Sequence, residues 1–274
     1  MQLRTDGIVI NQQSIGESDI LVTLLTRDRG VISVWAKNAR RTRSKFGTAT
    51  DLLCYSQFEL FQHKERYSIN SAEVKEIFFG LRSDIEKIAL GGYFAQLVYL
   101  IIPREEPAEE PLRLLLNALH YLEKDKRPPA LIKAVFELRL LAISGFMPDL
   151  VGCTQCGNYD SARFYFSPVQ GDMLCDTCYM NTSSRQAGYR ISVDRTVLAG
   201  MRHIIYSDFQ KLFAFSIPEP SVKGLSLVCE RFLLAQTGRS YPALEFYHSL
   251  AQEQPTYPRG EQEKADHKGE SGNV

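Results

Sequence analysis

Apolar and polar positions change their rhythm along this chain. Up to about residue 78 the apolar residues come in short β-rich runs. "DILVTLLT" (19–26) and "VISVWA" (31–36) flank "RDRG", where Asp28 and Gly30 suit a hairpin turn. "GIVI" precedes them, and "QFELFQ" and "YSINSAEV" follow, split by the polar "HKER" as a second hairpin would be. Five short strands with no helical pattern between them predict a small β-barrel, with the OB fold as the best-matching architecture.

From residue 81 the period becomes helical. Leu81, Ile85, Ile88, Ala89, Phe94, Leu97, Val98 and Ile101 recur at helix spacing, Ser83 and Glu86 read as a capping box, and Pro103 closes the segment. A second helix is predicted from Pro111, with Leu112, Leu115, Leu116 and Leu119 on one face. A third runs from Pro129 to Ser144, ended by Gly145 and Pro148. After a cysteine-rich interval, "VDRTVLAGMRHII" and "KGLSLVCERFLLAQTG" restore the helical stripe, the latter carrying Cys229 on its core face. Cys54, isolated among strand residues, also reads as core. From about residue 251 apolar content and period vanish together, which predicts a disordered tail. The expected class is therefore α+β. It comprises a barrel over 1–79, helical parts over 80–149 and 183–250 around a four-cysteine insert at 150–182, and a tail over 251–274.

The 44% apolar and 23% charged content belongs to an ordinary soluble globular protein. The longest nearly uncharged apolar run, "IALGGYFAQLVYLII", has 15 residues, short of the roughly 20 needed to span a bilayer. The first ten residues lack the basic and long apolar regions of a secretion signal, so a cytoplasmic protein is expected, where paired cysteines favour metal or redox chemistry over disulfides.

Cys153 and Cys156 form one C-x-x-C pair and Cys175 and Cys178 another, separated by 18 residues. Two tight turns of this kind present four sulfurs to one zinc ion at about 2.3 Å each. Gly157 suits the turn after the first pair, and "RFYFSPVQGDML" reads as a hairpin turning near Gln170, Gly171 and Asp172 that brings the pairs together. No βαβ pattern supports a thioredoxin-like motif. Four thiolates fill the zinc shell and leave no position for water, so the predicted site is structural. An interval with so few large apolar residues is expected to need the metal in order to fold, and to shape the surface between the two helical halves.

Lys plus Arg and Asp plus Glu both total 32, which excludes a protein basic over its whole surface. The charge is nevertheless patterned. "KNARRTRSK" places Lys37, Arg40, Arg41, Arg43 and Lys45 within nine residues without an acid, and Arg27 to Phe46 holds seven basic residues against one acidic. A basic loop projecting from a small barrel, with Trp35, Phe46 and Tyr55 near it, matches how OB folds hold single strands: cations follow phosphates and aromatic rings stack on bases. The same aromatics fit equally well as barrel core. Nothing in the cluster reads base edges, so little sequence preference is expected. Walker-type, H-E-x-x-H and G-x-S-x-G motifs are absent, the five histidines are scattered, and no carboxylate cluster suggests a nuclease, so the prediction is a noncatalytic protein. A zinc-ribbon protein binding RNA in transcription or translation is the alternative.

Four stretches resemble the RecO family of bacterial DNA repair and recombination proteins. "TDGIVINQQSIGESDILVTLLTRDRGVISVWAKNARRTRSK" is similar to its N-terminal signature, "GFMPDLVGCTQCG" and "FSPVQGDMLCDTC" to its zinc-bearing insert, and "ERFLLAQTGRSYPALEFYHSL" to its closing helices. Asn38 stands where the family's basic loop usually has glycine, and asparagine tolerates positive φ. The resemblance implies an OB fold, a helical bundle and a zinc finger, and a mediator with no chemical step. Such proteins bind single- and double-stranded DNA, anneal complementary strands and help RecA displace single-strand binding protein. RecR is the implied partner, with RecF in the same pathway and the C-terminal tail of single-strand binding protein as a further contact. Nucleoid-associated work in the cytoplasm follows from the same resemblance.

Overall fold

The computed structural model describes residues 1–41, 44–183 and 188–252. Five strands, β1 (Gln2–Ile15), β2 (Asp19–Thr26), β3 (Gly30–Ala36), β4 (Cys54–His63) and β5 (Arg66–Ile77), close into a barrel in the order β1-β2-β3-β5-β4. Closure comes from the one parallel pairing in the barrel, Val34 opposite Tyr67 and Trp35 opposite Ser68. This is OB topology. The second hairpin turns more tightly than its sequence suggests. His63 and Arg66 are a paired strand position, and Lys64 at φ +53 helps reverse the chain.

Side chains alternate across a strand, and here the alternation feeds two cores. Val9, Val22, Leu24, Ile32, Val34, Phe58, Leu60 and Tyr67 fill the barrel interior. Their neighbours Ile8, Ile10, Leu25 and Val31 point outward into the helical core. The barrel wall is thus buried on both faces where the helices meet it, which is why "GIVI" and "LVTLL" read as nearly continuous apolar runs, with only Thr23 polar and itself buried.

A single turn, α1 (Phe79–Arg82), precedes α2 (Ile85–Ile101), α3 (Glu109–Glu123) and α4 (Pro129–Ile143). The capping box expected at Ser83 is not formed. Ser83 closes α1, donating its hydroxyl to the Gly80 carbonyl at 3.0 Å, and Asp84 caps α2 by accepting from the Glu86 and Lys87 amides at 2.9 and 3.2 Å. A carboxylate one residue later serves because it both accepts these bonds and opposes the positive helix end. Beyond the cysteine segment come α6 (Arg195–Tyr206), α7 (Glu219–Thr237) and α8 (Pro242–Gln252), with a short α5 (Asp176–Asn181) inside that segment. Gly145 (φ +92) ends α4 in the left-handed conformation that suits glycine there, and Gly238 (φ +60) ends α7 in the same way. Cys54 and Cys229 are both buried. The predicted tail from residue 251 overlaps α8 by two residues, and 253–274 lie outside the described residues.

Three strands, β6 (Arg163–Ser167), β7 (Asp172–Cys175) and β8 (Ile191–Asp194), form a second sheet in the order β7-β6-β8. The β6–β7 hairpin turns where predicted, with Gly171 at φ +69. The third strand is not legible in the sequence: "VDRTVLAGMRHII" reads as helical from Val193, whereas 191–194 pair with β6 and Asp194 caps α6. Nor is this segment an appendage on the surface. Phe164, Phe166, Met173 and Leu174 are buried in the same core as the helices, and Phe166 meets Phe232 of α7 edge-on with ring centroids 5.5 Å apart.

Candidate metal centre and nucleic-acid interface

The four cysteines converge. Their sulfurs all lie within 4.8 Å of one another, and the Cys156 and Cys175 sulfurs are 3.7 Å apart. Four sulfurs at about 2.3 Å from one tetrahedral zinc would stand about 3.8 Å from each other, so the cluster fits a zinc site. The local fold explains the convergence. Cys153 donates its amide to the Asn158 carbonyl at 2.8 Å, and its own carbonyl accepts from Gly157, which turns at φ +72. This knuckle is held beside β7 by the Thr154 amide on the Met173 carbonyl, 3.0 Å. Cys175 ends β7, and Cys178 lies one turn into α5.

Burial disfavours ionisation of Cys153, but amides of Cys175, Cys156 and Gln155 outweigh it and draw the thiol down to about 6. Cys178 is pushed upward, first by its hydrogen bond to Cys156. Cys175 is also raised, by burial first, against amide and thiol hydrogen bonds from Cys178. Cys175 and Cys178 thus resist ionisation beside Cys153, and a cation among the sulfurs would favour their charged form. Arg190 ties the hairpin from outside the predicted insert, pairing with Asp172 at 2.8 Å and donating to the Tyr165 carbonyl at 3.1 Å.

The basic run forms the connection between β3 and β4. It begins in a turn with Asn38 at φ +55, its amide held by Asp19 at 2.8 Å, while the Arg40 amide reaches the Ser18 carbonyl at 3.1 Å. The turn backbone is thereby anchored and its side chains are left outside. Lys37, Arg40 and Arg41 are exposed and pair with no carboxylate among the described residues. Lys45 differs: its ammonium donates to the Asn70 carbonyl at 2.8 Å and sits 5.1 Å from the Phe46 ring. Arg43 lies outside the described residues.

The three aromatics separate. Phe46 is 4% exposed inside the barrel, which removes it as a stacking surface. Tyr55 packs against the helical core with the Lys75 ammonium 5.8 Å from its ring. Trp35 faces outward from β3 and belongs to neither core. A second group of ligand-type side chains, Glu76, His120 and Glu123, was not foreseen. Two of its members already have partners: Glu123 takes the Gly80 amide and the Lys124 ammonium, and His120 the Lys126 ammonium. No described helix is long and apolar enough to cross a membrane.

An OB barrel with exposed basic residues on its β3–β4 connection, a helical body and a four-thiol ribbon built into that body together define a multi-part protein of the OB-fold class. The family model "Recombination protein O N terminal" matches residues 1–78, and "Recombination protein O C terminal" matches 82–245. Proteins named DNA repair protein RecO are 34% identical in Acetivibrio thermocellus (90% of this chain, 97% of that protein) and 32% in Caldicellulosiruptor bescii (90% and 98%). The Symbiobacterium thermophilum protein of the same name is 31% identical, over 89% of this chain and 96% of that protein. The chain belongs to the RecO family of DNA repair proteins.

Proposed function

We propose that this protein binds single- and double-stranded DNA through the β3–β4 connection of its barrel and mediates recombination without a chemical step of its own. In this reading it anneals complementary strands in the cytoplasm, at the nucleoid. With RecR and RecF it helps RecA onto DNA covered by single-strand binding protein, whose C-terminal tail is a further contact. The observation that carries the reading is the set of exposed cations Lys37, Arg40 and Arg41, with no carboxylate partner among the described residues, on an anchored turn beside an OB barrel. Arg43 and Lys45 complete the proposed contact, Lys45 by exchanging a carbonyl partner for a phosphate. Residues 1–79 are the DNA-binding unit, and 80–149 with 183–250 are the helical body that carries it around the 150–182 insert.

In the ribbon, Cys153, Cys156, Cys175 and Cys178 would hold one zinc ion. A bound ion would supply the positive charge that lets four crowded thiols ionise and would fix the knuckle against β7. Cys153 and Cys175 are also part of the main apolar core, so the role is structural.

The test is DNA binding by the chain with Arg40, Arg41 and Arg43 changed to Ala. Weaker binding and a shallower salt dependence, with unchanged thermal stability, support the reading. Undiminished affinity would remove the connection from it. Competition between single-stranded DNA and RNA of matched sequence decides against an RNA-binding protein, unless RNA wins.

A further inference from the structure

Strand alternation turns Phe58, Leu60, Tyr67, Ile69, Val34 and Ala36 into the barrel, so the residues between them face out. The register then aligns one continuous row across the outer wall. Leu21 of β2 stands opposite Trp35 of β3, Trp35 opposite Ser68 of β5, and Ser68 opposite Phe61 of β4. Phe61 is 51% exposed. Ser68 leaves a low saddle between the two rings. On one side of the row lies the exposed pair His63 and Arg66. On the other lies the basic connection, fastened to β5 where Lys45 reaches the carbonyl of Asn70. Glu59, the outward acid two positions before Phe61, has its carboxylate engaged by the Ser71 hydroxyl at 2.6 Å. Two outward aromatics thus lie in a saddle flanked on both sides by cations.

We propose that Trp35 and Phe61 form a stacking platform for two unpaired bases, which makes this surface favour single strands over duplex. The inference rests on the DNA-binding reading above and adds what part of the DNA is gripped. Trp35 and Phe61 are separated by one intervening strand, about 9–10 Å at the usual spacing. Successive bases of a duplex strand are about 3.4 Å apart and already stacked on each other. Two rings this far apart receive bases only from a strand free to splay them. The cations on either side then meet the backbone, as in sequence-tolerant single-strand grooves.

Trp35 is the only tryptophan in the chain, so the platform reports on itself. The full-length protein is titrated with end-labelled oligo-dT and, separately, with a labelled blunt duplex, following label anisotropy and tryptophan emission together. Oligo-dT is expected to quench the emission along the same isotherm as the anisotropy, while the bound duplex leaves it near its starting level. Phe61→Ala is expected to weaken oligo-dT binding about tenfold and to leave duplex affinity within about twofold. Anisotropy showing bound oligo-dT with emission unchanged, equal quenching by duplex, or equal effects of Phe61→Ala on both DNAs would overturn the platform. An anisotropy that moves with neither DNA would instead overturn the DNA-binding reading, and this inference with it.

Discussion

Gly30, at the start of β3, lies directly against the backbone of Glu106: a Cβ built on it would stand 2.3 Å from the Glu106 carbonyl oxygen and 2.9 Å from that of Pro103. Around it the Ala108 amide donates to the Arg27 carbonyl at 2.9 Å, so the β2–β3 hairpin is latched to the segment between α2 and α3. Gly30 also sits at φ +54, where a side chain is strained whatever the space. Gly30→Ala is expected to destabilise the protein by about 2–4 kcal/mol, from left-handed strain plus a clash with backbone that cannot rotate away. Gly92→Ala, in a helix with open space at the Cβ, is the matched control and should be neutral or stabilising by up to about 1 kcal/mol. Denaturant midpoints of the two variants check this.

Lys133 and Glu137, one helical turn apart on α4, are 1% and 0% exposed and 2.9 Å apart. Lys133 also meets Glu230 of α7 at 2.7 Å, and Glu137 accepts from the Tyr93 hydroxyl at 2.7 Å. Removing the ammonium leaves the buried Glu137 carboxylate without its countercharge, so Lys133→Ala should cost about 3–5 kcal/mol. Lys133→Met combined with Glu137→Gln should recover a large part of that loss. Chemical unfolding of both variants at one pH would show it, and additive losses would contradict the coupling.

The same cluster sets a pH dependence. Burial works against ionisation of Glu230, but the Lys133 ammonium outweighs it and, with His248, holds the carboxyl below the ordinary value of 4.5. A depressed folded-state pKa stabilises above the unfolded value, and that stability is lost as pH falls through the folded one. Stability should therefore drop below about pH 4.5. Glu230→Gln should be less stable at neutral pH and lose less on acidification. Thermal melts from pH 7 down to pH 3 separate the two curves.

Zinc analysis of reduced, purified protein is expected to give about one ion per chain, because the four sulfurs form a single cluster within 4.8 Å, enough for one tetrahedral ion. Cys156→Ser should release it. Since Cys153 and Cys175 are 3% and 2% exposed within the main core, chelation should lower the melting temperature of the whole protein rather than loosen a separate module. A metal-free preparation melting unchanged would refute the structural role.

Binding to single strands should weaken steeply with salt. If all five cations from Lys37 to Lys45 meet phosphates, the slope of log K against log salt is about −3.5 to −4.5. Each arginine changed to alanine should reduce that slope by close to one unit, about 0.7 to 0.9. A slope unaffected by the substitutions would place the phosphate contacts elsewhere.

Much of this was legible locally. Period-two runs and their turns gave the barrel strands, helix spacing gave α2 to α4, and C-x-x-C spacing gave the metal-type cluster, because each is written within a few residues of itself. The turn at Gly171 followed from residue chemistry, and the positive φ of Asn38 from the family resemblance, which puts a glycine at that place. What failed locally has a common cause. The strand at 191–194 is too short to announce itself and exists because β6 offers it an edge.

The amino-acid order by itself determined the barrel strands and the long helices, where four thiols can meet and where positive charge gathers. Only the folded chain decided which side of the barrel wall each aromatic takes, Phe46 within and Trp35 without. It alone joined Lys133 to Glu230 across 97 positions and merged the cysteine ribbon with the helical core. Short-range pattern records the conformation a segment prefers. Its neighbours in space depend on loop closures and shared burial that no local stretch contains.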